Sequence, residues 1–317
     1  MSKKFKILLL TVATILTVAG CSNSQKEEVV EDKVKVTLIL DEGGANDESF
    51  NQSALKGAKE AEKKYGIDVN YIESKQESDY LQNIETAVDQ GSDLVMGIGF
   101  KLADKMLEAS KSYPDVKFAM IDATYDVFPE NMTTVTFNEK EAGYLAGLVI
   151  GKMSGDTTKY GFVGGMDIPT VTQFAVGYRQ ALQEINPDSV LYVQFANSFT
   201  DQAKGKAIAN QMYKDGIDTV FTAGGGVNLG VFESAKELGK KAVGVDLASN
   251  HLSPDEIVTS ALKNIDLGVL NSIESVLNSE FKGGKNTVYD LSNGGIGYEK
   301  TGLIPQEVME FVDSKMK

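Results

Sequence analysis

The 317-residue sequence predicts an α/β protein in which parallel β-strands alternate with crossover helices. Short apolar, β-branched runs alternate with amphipathic helical stretches, an order typical of strands joined by helices in a parallel sheet. Several runs are almost continuously apolar, as expected for strands that helices cover on both faces. The predicted strands are residues 34–40, 69–72, 94–97, 118–121, 135–137, 160–163, 191–195, 220–222 and 242–245. Either a closed barrel or two open doubly wound domains fits this pattern.

The N-terminus has the layout of a bacterial secretory signal. Residues 1–20 contain three lysines near the start, an uncharged apolar run from residue 7, and Val-Ala-Gly before Cys21. Val-Ala-Gly-Cys resembles a lipobox, in which the peptide is cut before a cysteine that carries lipid chains. We therefore expect a signal peptide over residues 1–20 and lipidation of Cys21 on the extracytoplasmic face of a bacterial cell membrane. An ordinary secreted protein, or a cysteine buried in the core, is the alternative.

Composition narrows the class of the remaining chain. Residues 21–33 are polar and charged, as expected of a flexible tether, and folding is predicted to start at about Val34. With 42% hydrophobic and 24% charged residues, the rest is typical of a globular protein with one large or two medium domains. The formal net charge is −14, and removing the three lysines of residues 1–20 makes it about −17. This charge disfavours nucleic acid as a partner.

Three aspartates stand directly after apolar strands. They are Asp41, Asp122 and Asp246, which places each at the carboxyl end of its strand. In open α/β sheets ligands bind at that edge, where the strand order reverses. Ser49 to Gln52 follows the glycine pair after Asp41 and fits a capping box, which predicts the start of the first helix.

The segment Asp-Glu-Gly-Gly-Ala-Asn-Asp-Glu-Ser-Phe-Asn-Gln-Ser-Ala at residues 41–54 closely resembles the opening signature of the basic membrane protein family of substrate-binding lipoproteins, which includes purine nucleoside receptors. Further matches follow in order at residues 138–147, 163–178, 223–226, 243–246 and 259–263. The resemblance implies a type I periplasmic-binding-protein fold, with two Rossmann-like domains joined by a three-strand hinge and a ligand in the interdomain cleft. It also implies a monomer that hands nucleosides to the permease and ATPase subunits of an ABC transporter. We place domain I at residues 34–137 and 261–290, and domain II at residues 138–260 and 291–317.

A purine site needs aromatic stacking and a few fixed hydrogen-bonding groups. At positions that match the family, we expect Phe50 and Phe174 to sandwich the base. Asp47 and Asp122 are the candidates to accept hydrogen bonds from the base edge, with Asp41 beside them. Asp47 is also a candidate N-cap of the helix that follows.

A ribose calls for different groups. A carboxylate accepts hydrogen bonds from both hydroxyls of a vicinal diol, while an ammonium donates to them and balances the buried charge. Asp246 and Lys263 suit these roles, and Gly225, within a glycine triplet, lets the backbone approach the sugar closely. A plain strand-to-helix turn is the alternative for Gly225.

Most enzymatic motifs are absent from the sequence. No Gly-Lys-Ser/Thr phosphate loop occurs, and both candidate dinucleotide fingerprints have leucine, Leu102 or Leu229, where the third glycine belongs. The sole histidine, His251, lies in a polar loop, so the sequence has no histidines for a catalytic triad or a histidine-ligated zinc site elsewhere. We expect no enzyme, no cofactor and no metal. The alternatives are a sugar or polyol receptor of the same fold, a calcium-dependent nucleoside hydrolase suggested faintly by Asp41 and Asp47, and an adhesin or signalling lipoprotein.

Overall fold

The computed structural model describes residues 33–316. The predicted signal peptide, Cys21 and all of the tether except Lys33 lie outside these residues. Within them, no helix combines the length and the apolar character needed to cross a membrane.

Two lobes, each built on one six-stranded sheet, make up residues 33–316. The first lobe is formed by β1 (Lys35–Leu40), α1 (Phe50–Tyr65), β2 (Asp68–Glu73), α2 (Tyr80–Asp89), β3 (Leu94–Ile98), α3 (Ala103–Ser112), β4 (Lys117–Ile121), β5 (Met132–Phe137), α8 (Ile265–Leu277) and β11 (Lys285–Tyr289). The second lobe is formed by α4 (Glu139–Met153), β6 (Lys159–Gly164), α5 (Pro169–Ile185), β7 (Val190–Phe195), α6 (Gln202–Lys214), β8 (Thr219–Ala223), α7 (Val227–Leu238), β9 (Lys241–Asp246), β10 (Ile257–Lys263), β12 (Ile296–Tyr298) and α9 (Gln306–Lys315).

The two sheets repeat one strand order. The first runs β11-β5-β4-β3-β1-β2 with every pair parallel, and the second runs β12-β10-β9-β8-β6-β7, parallel except for the β10–β12 pair. In each sheet the order reverses between the first strand and the third strand along the chain. The loops at the carboxyl ends of β1 and β3, and of β6 and β8, therefore border a ligand-binding crevice.

Burial explains why these segments form strands. The central strands β3 and β8 are buried at every residue because helices cover both faces, whereas the edge strands β2 and β7 are largely exposed. The two open sheets exclude the barrel that the sequence pattern left possible. All nine predicted strands are present, and the strands β10, β11 and β12 were not predicted. Strand β11 is exposed at four of its five residues, and three of those four are polar, so no apolar pattern marks it.

The chain passes between the lobes three times, after β5, after β10 and after β11. The predicted return to domain I lies at residue 261, but β10 continues in the second sheet as far as Lys263. There Ala261 and Leu262 pair with β9, and Lys263 pairs with Ile296 of β12. The crossover therefore follows Lys263, because pairing on both sides holds the end of β10 in the second sheet.

Glycines bring the helices α4 and α5 into close contact. A Cβ on Gly177 would lie 1.9 Å from the carbonyl oxygen of Lys140, and one on Gly143 would lie 2.1 Å from that of Phe174. Larger residues at these two positions would push the helices apart. This contact seats the start of α5, and with it Phe174, beside the crevice.

Candidate functional site

A cavity lies between the lobes at the two points where strand order reverses, with about 600 Å³ of empty space that includes open solvent. Small-molecule sites of α/β proteins commonly lie at such points. Residues from both lobes line the cavity: Asp41, Gly43, Asp47, Phe50, Asn51, Gly99, Phe100, Asp122, Thr170, Val171, Phe174, Phe199, Ala223, Gly224, Gly225, Val245, Asp246 and Lys263.

The loop between β1 and α1 is organised by two carboxylates. Asp47 accepts hydrogen bonds from the backbone N–H groups of Ser49, Asn51 and Gln52 at 2.9 to 3.0 Å, and so caps the first turn of α1. Asp41 accepts from the Gly43 N–H at 3.0 Å and from Nδ2 of Asn51 at 2.8 Å. The predicted capping box is wrong, because the Ser49 side chain makes no capping bond and its hydroxyl instead donates to Asp246.

Lys263 lies at the centre of a buried charge cluster. Its side chain is 3% exposed, and its Nζ lies 2.6 Å from Oδ2 of Asp122 and 3.0 Å from Oε1 of Glu139. The same Nζ lies 5.3 Å from the ring centroid of Phe50 and 5.1 Å from that of Phe137. Asp122 belongs to the first lobe, so the lysine at the end of β10 forms an ion pair across the crevice.

Asp122 and Asp246 adopt left-handed backbone conformations, with φ of 71° and 64°. Non-glycine residues adopt such conformations at a cost of about 1 to 3 kcal/mol, and they concentrate at functional sites. In Asp246 this turn ends β9 inside the crevice, where Oδ2 accepts a 2.5 Å hydrogen bond from Oγ of Ser49.

Burial dominates the ionisation of these carboxyl groups. It raises the pKa of Asp246 to about 7, although Lys263 and the Ser49 hydroxyl oppose the shift. It also raises the pKa of Asp41 to about 6, against the hydrogen bonds from Asn51 and Gly43. The pKa of Glu139 is likewise raised by burial despite the nearby Lys263. The pKa of Lys263 is raised, because its carboxylate neighbours outweigh the opposing effect of burial.

We expect Asp246 to make the folded state less stable as the pH rises from about 4 to about 7. Its folded-state pKa of about 7 exceeds the ordinary 3.8, so the folded state binds more protons than the unfolded state across this range. The effect is on the order of 4 kcal/mol, at about 1.36 kcal/mol per pKa unit. Urea denaturation between pH 4 and pH 8 should show a greater stability loss for the parent protein than for Asp246→Asn. Parallel curves for the two proteins would contradict this assignment.

Aromatic rings form the apolar walls. Phe50, the first residue of α1, and Phe174 of α5 line the cavity from opposite lobes. At the crevice, Phe100 and Phe199 approach each other edge to face, with ring centroids 6.3 Å apart. Gly225 has a φ of 58°, and a Cβ there would lie 3.0 Å from the carbonyl oxygen of Phe199.

All eight residues predicted to contact a ligand line this one cavity: Asp41, Asp47, Phe50, Asp122, Phe174, Gly225, Asp246 and Lys263. Sequence reasoning did not assign a role to Asn51, Phe100, Phe199 or Glu139. Asn51 directly follows Phe50 within the family signature, so the motif carried a signal for it. His251, predicted as a loop residue, is exposed outside the cavity.

Two buried acceptor atoms in the cavity lining lack a hydrogen-bond partner among the described residues: Oδ1 of Asn51 and Oδ1 of Asp122. Nδ2 of Asn51 donates to the Asp41 carboxylate, which fixes the amide with its oxygen as the free acceptor. Buried acceptors are costly when unpaired, so both atoms suit a ligand with N–H donors. Over residues 33–316, no group of three or more histidine, cysteine, aspartate or glutamate side chains is arranged to hold a metal ion.

Comparison with known proteins agrees with this architecture. The family model described as "Bmp: ABC transporter substrate-binding protein PnrA-like" matches residues 33–316. The ABC transporter nucleoside-binding protein BmpA of Lactococcus lactis is 34% identical over 311 residues, covering 90% of this chain and 88% of that protein. Basic membrane protein A of Borreliella burgdorferi is 36% identical over 299 residues, covering 92% of this chain and 86% of that protein.

Solved structures share the fold. An ABC transporter solute-binding protein from Aeropyrum pernix K1 superposes with a TM-score of 0.79 at 28% identity, covering 89% of this chain and 85% of that one. A periplasmic solute-binding protein from Actinobacillus succinogenes with bound D-allose has a TM-score of 0.66 at 17% identity, covering 81% of this chain and 95% of that one. The second likeness concerns the fold alone. The predicted two-lobed periplasmic-binding-protein fold is confirmed, and the chain belongs to the Bmp family of PnrA-like ABC transporter substrate-binding proteins.

Proposed function

We propose that this substrate-binding protein captures nucleosides, chiefly purine nucleosides, between its lobes and delivers them to the permease of an ABC importer. The observation that carries the proposal is that one cavity contains two different sets of groups. Aromatic walls and two unpartnered acceptors provide for a base, while a carboxylate and an ammonium provide for a sugar. The relative from Lactococcus lactis is named as a nucleoside-binding protein, which supports the same ligand class.

The base occupies the space between Phe50 and Phe174. Stacking on an aromatic side chain contributes about 1 to 3 kcal/mol per base. The base edge donates N–H groups to the free oxygens of Asn51 and Asp122, with Asp41 adjacent. Asp47 contributes mainly by fixing this loop, because its oxygens already accept three backbone hydrogen bonds.

The ribose lies against the end of β9. The Asp246 carboxylate accepts hydrogen bonds from the sugar hydroxyls, and Lys263 donates to them while keeping the buried charge balanced. Gly225 lines the cavity in the turn after β8, where the lack of a Cβ lets the backbone pack against the carbonyl oxygen of Phe199. Because the ligand touches both lobes, it stabilises their closed arrangement, which the transporter reads as occupancy.

A thermal-shift panel tests the ligand class. Purine nucleosides at 100 times their dissociation constant should stabilise the protein by about 2.7 kcal/mol, while ribose and free purine bases should act only at far higher concentration. Nucleoside monophosphates should bind poorly, because four of the residues lining the cavity are aspartates and one is a lysine. Stabilisation by free sugars but not by nucleosides would instead favour the sugar receptor. Release of free base from a bound nucleoside would favour the hydrolase.

The proposed lipid anchor on Cys21 keeps the protein near its permease. We expect Cys21→Ala to abolish incorporation of labelled palmitate and to reduce nucleoside uptake by cells, while the purified protein keeps the parent affinity. The proposed anchor serves location alone, so affinity is the internal control. Lipid labelling that persists in Cys21→Ala would overturn the assignment.

A further inference from the structure

A chain of buried hydrogen bonds joins the two lobes through Ser49, which is not among the residues that line the cavity. Ser49, which immediately precedes α1, is fully buried. Its Oγ donates to Oδ2 of Asp246 at 2.5 Å and accepts from Nδ2 of Asn228 at 3.4 Å. Asp246 ends β9 and Asn228 lies in α7, both in the second lobe. One hydroxyl of the first lobe therefore contacts two elements of the second lobe.

Both ends of this chain are held in place. The N–H of Ser49 donates to Oδ1 of Asp47, which fixes the serine at the start of the helix. Oδ1 of Asn228 accepts from Oγ1 of Thr222 and from the N–H of Gly224, each at 2.8 Å, which leaves the amide nitrogen directed at Ser49. The serine hydroxyl thus has one donor and one acceptor arranged around it.

We propose that Ser49 is a positioning residue that latches the lobes together and aims the Asp246 carboxylate into the cavity. The hydroxyl donates a hydrogen bond to Oδ2 of Asp246, and this bond leaves Oδ1 of the same carboxylate for the sugar. The effect on affinity rests on the proposed function, whereas the latch itself does not. A latch of this kind raises the fraction of molecules in the closed arrangement, and the apparent dissociation constant falls in proportion.

The test uses inter-lobe distance as well as affinity. Cys21→Ser removes the native thiol, and spin labels on Lys59→Cys in α1 and Lys236→Cys in α7, both exposed, report the distance between the lobes by double electron–electron resonance. In this background Ser49→Ala should shift the distribution toward longer distances without nucleoside. It should also weaken purine nucleoside binding by about ten- to a hundredfold, the effect of losing a hydrogen bond to a charged group.

Ser53→Ala is the matched control. Ser53, in the first turn of α1, is equally buried, but its Oγ accepts from the N–H of Asp266 within the first lobe, so both readouts should stay at the parent values. An unchanged distance distribution in Ser49→Ala would overturn the latch. A shifted distribution in a protein that binds no nucleoside would support the latch and reject the proposed function.

Discussion

Replacing Lys263 with methionine should lower nucleoside affinity by at least a hundredfold and destabilise the fold. The variant removes the proposed ribose donor and leaves Asp122 and Glu139 as buried carboxylates without their cation. Breaking a buried ion pair by removing one partner costs about 3 to 5 kcal/mol. Isothermal titration with a purine nucleoside and urea denaturation measure the two effects.

A second variant separates binding from folding. Lys263→Met combined with Glu139→Gln removes one of the stranded charges, so it should recover part of the stability without recovering affinity. Lys101→Met is the matched control, because Lys101 also pairs with two carboxylates but is partly exposed outside the cavity lining. Its loss should cost at most about 1 kcal/mol and leave affinity near the parent value. If the double variant bound the nucleoside as tightly as the parent, the proposed contact between Lys263 and the ligand would be wrong.

Replacing Asp246 with alanine should weaken nucleoside binding by about a hundredfold or more. The substitution leaves buried sugar hydroxyls without an acceptor, and each hydrogen bond to a charged group contributes about 1.5 to 3 kcal/mol. Titration of the variant with a purine nucleoside at pH 8, where Asp246 of the parent is mostly ionised, measures this loss.

Alanine also strains the backbone, because Asp246 has a φ of 64°. Asp246→Asn controls for the strain, since asparagine tolerates this conformation and keeps the side-chain shape. It should fold at least as stably as the parent at pH 8 and still bind more weakly by about tenfold, because the charge is lost and one acceptor oxygen becomes an NH2 donor. If both variants bound the nucleoside as tightly as the parent, the sugar would have to lie elsewhere.

The strands and the cavity edge could be predicted because local sequence determines them. Asp41, Asp122 and Asp246 follow apolar strands, and parallel strands bring their carboxyl ends to one edge. The choice of two open sheets over a barrel came from the family signature. Strand β11 escaped prediction because its polar sequence carries no burial pattern, and only its pairing with β5 makes it a strand.

The contacts inside the site depend on closure of the lobes, which local patterns do not encode. Ser49 and Asp246 are separated by 197 positions in sequence, and Lys263 and Asp122 by 141. The capping prediction failed for the same reason. The serine that fits a capping box donates its hydroxyl to the other lobe, and Asp47 takes over the cap.

A crystal structure of the protein with a bound purine nucleoside tests the central claim most directly. We expect the base between Phe50 and Phe174, its N–H groups on Asn51 and Asp122, and the ribose hydroxyls within hydrogen-bonding distance of Asp246 and Lys263. A nucleoside bound outside the cavity, or one with its ribose on Asp122 and its base on Asp246, would contradict the placement of the base edge at Asn51 and Asp122 and of the ribose at Asp246 and Lys263.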